Sequence, residues 1–141
     1  MRSFVLAAAL IVIAPAYGQK PLAANHPLLG TWKFTVPGGL CSEIYTFRAD
    51  GTRQFTSAEE VGESVFVLSE APSDRGFYGF TDTVTKTNGK IDCSGGKTPI
   101  GDRVTLFIRF HPRNLDEFIM CRDESLAQCF GPIRKVKPNA S

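Results

Sequence analysis

The sequence predicts an all-β domain, an eight-stranded antiparallel up-and-down barrel, and three observations lead there. Apolar and polar residues alternate in short runs, as half-buried strands require. Turn residues separate those runs at close spacing, among 13 glycines and 9 prolines. Beyond residue 18 no stretch carries a long 3.6-residue period, so no long helix is expected in the mature chain.

The 141 residues amount to one domain's worth of polypeptide. Sixteen Lys and Arg against 14 Asp and Glu leave a formal charge of +2, with 43% hydrophobic and 21% charged residues. That balance excludes a disordered tail, a polybasic nucleic-acid binder and a multi-span membrane protein.

The first segment reads as an address. Arg2 precedes the apolar run at residues 4–13 (FVLAAALIVI), and the small residues Ala16 and Gly18 follow two positions apart. This is the layout of a secretory signal peptide cleaved after Gly18. A membrane helix needs about 20 apolar residues, and Pro15 and Gln19 stop the run short of that. The expected organisation is a signal peptide at 1–18, a lead-in at 19–27, a barrel at 28–137 and a tail at 138–141. No cysteine lies near the cleavage region to carry a lipid. The mature product is expected to be periplasmic or secreted, monomeric and without a membrane span. Being nearly neutral, it has no electrostatic reason to bind nucleic acid.

The strands follow in order. Trp32, Phe34 and Val36 share one face of the first, which Pro37-Gly38-Gly39 ends. Tyr45 and Phe47 alternate with Ile44 and Thr46 in the second, and Asp50-Gly51 is a strong hairpin signal. Residues 53–57, 64–69 and 77–86 make the third, fourth and fifth. A glycine-rich gap at 87–102 precedes the sixth strand, 103–110 (RVTLFIRF), with Val104, Leu106, Ile108 and Phe110 on one face. Residues 117–122 and 133–137 complete the set, and 123–128 are expected to form one helical turn. Closing such a sheet removes its exposed edges. Eight strands leave room inside for side chains or one small ligand.

Cys41, Cys93, Cys121 and Cys129 form an even set in an exported chain and read as two disulfides. There is no C-x-x-C, so neither a thioredoxin-type redox site nor a paired-knuckle zinc site is indicated. In an up-and-down meander all four fall at one end. Pairing Cys121 with Cys129 and Cys41 with Cys93 is preferred; Cys41 with Cys129 and Cys93 with Cys121 stays open.

The remaining chemistry points to binding. His26 and His111 each precede a proline at the edge of an element, and no G-x-S-x-G, H-E-x-x-H or G-x-x-x-x-G-K motif occurs. No catalytic residue, cofactor or metal site is therefore expected. Glu59, Glu60 and Glu63 read as a solvated loop, and Asp92 and Asp102 lack EF-hand spacing. Glu43 shares strand parity with Tyr45, and Arg53 with Phe55. If both point inward, a buried Glu–Arg pair demands compensation or a polar ligand; a bulge would turn them out. With Glu43 and Arg53, the residues Tyr45, Phe55, Tyr78, Phe80, Leu106 and Phe118 are the expected lining of a ligand pocket. The expected function is non-catalytic binding of a small apolar or amphipathic ligand. The alternative is a protein-binding module, such as a hydrolase inhibitor, acting through loops at 57–63, 87–102 and 123–130.

Leu28-Leu29-Gly30-Thr31-Trp32 resembles the start of the first strand in lipocalins and their calycin relatives, whose signature is G-x-W. The resemblance implies a structural role for Gly30 and places Trp32 near the closed base of the barrel. It also implies a basic residue from the last strand over the indole. The matching residue is Arg134, in the segment Gly131-Pro132-Ile133-Arg134, where a guanidinium would meet the ring face. The cysteine end would then be the open mouth. The mature chain also resembles small exported bacterial proteins with a lipocalin-like domain; that likeness implies a fold and a compartment but no ligand.

Overall fold

The computed structural model of the chain describes residues 20–139. The expected signal peptide lies outside the described residues. The strands are β1 (Gly30–Thr35), β2 (Ser42–Phe47), β3 (Thr52–Ser57), β4 (Glu60–Leu68), β5 (Tyr78–Thr87), β6 (Arg103–His111), β7 (Asn114–Cys121) and β8 (Cys129–Lys135). Each pairs antiparallel with the next, and β8 returns to β1, closing the barrel. Among the described residues there is no helix, and none is long and apolar enough to cross a membrane.

Three strands start earlier than alternation alone predicts. β4 begins at Glu60 because the β3–β4 turn is only Ala58-Glu59. β7 begins directly after a tight turn at Pro112-Arg113. β8 begins at Cys129 and runs through Gly131-Pro132, where its register with β7 shifts. Glycine and proline are at home in such a bulge, so residues that read as punctuation lie inside a strand. The helical turn expected at 123–128 is absent. That loop is held by Arg122 N–H donating to the Gln128 carbonyl at 2.9 Å and Ser125 N–H donating to Asp123 Oδ1 at 2.8 Å.

Alternation fills the barrel from one end. Trp32, Phe47, Phe66, Phe80, Ile108, Phe118 and Ile133 point inward and are buried, with Leu28 packed beneath them. The rings meet mostly at their edges: Trp32 lies 4.6 Å from Phe118, and Phe47 lies 5.3 Å from Phe66, centroid to centroid. Such contacts add to the area term of burial. This packed half is the base. The loops after β1, β3, β5 and β7 lie at the opposite end, which carries all four cysteines. Cys41 is bonded to Cys93 and Cys121 to Cys129. Each bridge constrains the unfolded chain and offsets the small core of a domain this size.

Trp32 is fully buried and donates its indole N–H to the Leu28 carbonyl at 2.8 Å. The cation over its ring is Lys135, with Nζ 4.9 Å from the centroid. Arg134, expected there, is displaced from that role by strand parity. It pairs across from Lys33, while Lys135 pairs across from Trp32. Arg134 therefore points outward, with Nε 3.3 Å from Glu117 Oε2.

Candidate functional site: the polar mouth of the barrel

Directly opposed residues in an antiparallel ladder share a face. The β2–β3 register sets Tyr45 against Phe55 and Glu43 against Ser57. Since Phe55 and Tyr45 are buried, Glu43 points inward with them. Arg53, two residues before Phe55, also points inward, opposite Phe47 and Ser64. Neither is turned out by a bulge. They do not pair with each other.

Arg53 instead reaches across β4 to Asp82 on β5. Its Nη2 donates to Asp82 Oδ2 at 2.5 Å and its Nε to Asp82 Oδ1 at 3.1 Å. Ser64 Oγ donates to the same Asp82 Oδ1 at 2.7 Å. The guanidinium lies 4.7 Å from the Phe55 ring centre and 5.3 Å from that of Tyr45. The Asp82 side chain is 3% exposed, so this fork-to-fork geometry and the hydroxyl are what make its burial tolerable.

Glu43 is held by hydroxyls. Ser57 Oγ donates to Glu43 Oε1 at 2.8 Å, and the Tyr45 hydroxyl donates to Oε2. Burial first, then the neighbouring Glu43 charge and hydrogen bond, pushes the Tyr45 phenol above its ordinary pKa. Ser57 Oγ also accepts from the Cys93 N–H at 2.9 Å. The Cys41–Cys93 bridge thus fastens the 88–102 loop to the rim beside this carboxylate.

These groups surround a cavity of about 190 Å³ at the mouth, whose wall also includes Glu60, Val84, Asp92, Thr98, Asp102 and Val104. Asp92 is held below the usual carboxylate range, chiefly by the Ser94 hydroxyl that donates to it. Val104 also belongs to a second cavity of about 440 Å³, shared with Leu106, Arg122, Gln128, Cys129 and Phe130. Phe130 in turn packs 5.3 Å from Phe34. One side of the mouth is therefore carboxylate-rich and its neighbour largely apolar.

The expected pocket residues divide between the two ends. Glu43, Tyr45, Arg53 and Phe55 line the polar cavity, and Leu106 lines the apolar one. Phe80 and Phe118 are packed into the base core and line neither. Tyr78 is also at the base, edge-on to His26 at 5.6 Å and to Phe110 at 6.0 Å. Their parity was right, but parity does not give depth along the barrel axis. Both histidines stand at the base too: His26 Nδ1 accepts from the Leu28 N–H and His111 Nδ1 from the Arg113 N–H. Among the described residues no group of three or more His, Cys, Asp and Glu is placed to hold a metal ion.

Two carboxylates of the polar wall escape the sequence reading. Asp82 shares parity with Phe80 and Val84, which is the signal for it. Glu60 reads as part of a solvated acidic loop, yet it opens β4 and is 2% exposed. Its parity with Ser64, Phe66 and Leu68 is the signal there. Glu63, on the other face, is the solvated one, 3.2 Å from Lys86 Nζ.

No protein-family model matches the chain, and comparisons with curated proteins and with solved structures return no significant match.

Proposed function

We propose that this is an exported, non-catalytic binding protein of lipocalin-like design that holds a small amphipathic ligand in the mouth of its barrel. The observation that carries the reading is the pair of adjoining mouth cavities meeting at Val104, one rich in carboxylates and one largely apolar with Arg122 and Gln128 in its wall. A few fixed polar groups beside an apolar wall are what orient a small ligand. Export is supported by the two disulfides, which persist in oxidising compartments, and by the leader-like residues 1–18. The test is native mass spectrometry of the mature protein isolated from cells that make it. A retained small mass supports the reading; a bare chain at every step of purification counts against it.

A second reading has its own observation. Leu40, Ile91, Ile100 and Leu126 are exposed on the loops around the same mouth, Leu40 fully so. Apolar residues exposed on three loops of one rim favour contact with a protein partner. The edge would be formed by residues 88–102 and 122–128, since most of 57–63 is strand. A retained protein mass in the same experiment would favour this reading.

A further inference from the structure

We infer that the ligand of the mouth carries a positively charged head, an alkylammonium or a similar organic cation, seated against Glu60 and Glu43. This rests on the mouth being the ligand site and adds the charge of what enters it. The polar cavity is lined by five carboxylates and one guanidinium, in a chain whose overall formal charge is +2. The guanidinium is already committed, because Arg53 is forked onto Asp82. Among the described residues Glu43 is met only by hydroxyls.

Glu60 decides the sign. The residue is 2% exposed and lines the cavity. Among the described residues its one hydrogen bond is from Thr87 Oγ1, at 3.4 Å to Oε1. No Lys, Arg or His of the described residues forms an ion pair with it. A buried carboxylate without a counter-ion is costly, and a cation entering the cavity would relieve that cost. An anionic head would meet the same carboxylates as repulsion. A bare metal ion fits less well, since the carboxylates do not converge as a ligand set. An organic cation needs only one or two oxygens, and its chain would lie along Val104, Leu106 and Phe130.

The test is calorimetric titration of the oxidised chain with three probes of one chain length: octylamine, octanol and octanoate. Octylamine, protonated at neutral pH, is expected to bind about tenfold or more tighter than octanol, with octanoate weakest. Glu60→Gln is expected to reduce the preference for octylamine over octanol about tenfold. Asp102→Asn, an exposed residue of the same wall, is a second variant that does not touch the core, and it should narrow the gap between octylamine and octanoate. Octanol and octanoate binding as tightly as octylamine would overturn the inference and leave the mouth site standing. Failure of all three probes to bind would overturn the mouth site itself.

Discussion

The Lys135 ammonium stands 4.9 Å from the centre of the Trp32 ring and donates to the Pro27 carbonyl at 3.1 Å. One side chain thus ties the last strand, the first strand and the lead-in together under the base. Lys135→Met keeps the aliphatic cover and removes both polar contacts, so it should lower stability by about 1–2 kcal/mol. Arg134→Met, at a side chain 68% exposed, should change stability by no more than about 0.5 kcal/mol. Urea unfolding of the two variants checks the ranking. Equal losses would contradict the assignment of Lys135.

Arg53 and Asp82 form the buried pair between the aromatic core and the mouth cavity. Arg53→Met leaves a carboxylate in a nearly dry site without its cation and should cost about 3–5 kcal/mol. Adding Asp82→Leu to that variant removes the orphaned charge and should recover a large part of the loss. A double variant as unstable as the single one would mean that the cost lies in packing, not in the uncompensated carboxylate.

The two disulfides should contribute unequally. Cys41–Cys93 closes a sequence separation of 52 residues and Cys121–Cys129 one of 8. Loop-closure entropy then gives roughly 4 kcal/mol for the first and about 2.5 kcal/mol for the second. Paired serine variants, Cys41→Ser with Cys93→Ser and Cys121→Ser with Cys129→Ser, measure each by equilibrium unfolding. The first pair should also loosen the 88–102 loop over the polar cavity. A larger loss from the second pair would contradict this ordering.

His26 predicts a pH dependence. Burial holds its pKa below the usual value of 6.5, and its Nδ1 must stay unprotonated to accept from the Leu28 N–H at 3.1 Å. Below about pH 6.5 the unfolded chain therefore binds more protons than the folded one. This contribution is fully present above that pH and is lost as the pH falls toward the lowered folded value. His26→Asn keeps an acceptor and removes the titration. Unfolding midpoints at about pH 7.5 and 5.5 should fall between the two conditions for the parent and fall less for the variant. Equal slopes would exclude His26 as the source.

The strands, the closed sheet and the gathering of cysteines at one end were legible because they rest on local signals: period-2 alternation, turn residues and loop parity. What was not legible depends on where a strand begins or bulges. Glu60 and Glu59 look alike in sequence, but a two-residue turn makes one the buried start of β4 and leaves the other outside. The bulge around Gly131-Pro132 concealed the start of β8. Beyond it, simple alternation from the buried Ile133 puts Arg134 outside and Lys135 inside. Depth was the other missing coordinate. Tyr78, Phe80 and Phe118 share a face with the mouth residues of their own strands, and only the register of the closed sheet sends them to the base.

Nuclear magnetic resonance of the 15N-labelled chain, titrated with octanol, measures the proposed site without reference to the charge of the ligand. Saturable shifts are expected at the amides of Tyr45, Phe55, Val104, Leu106 and Phe130, with the Trp32 indole resonance unmoved. Shifts centred on Trp32, Tyr78 and His26, or none that saturate, would contradict an open mouth above a filled base.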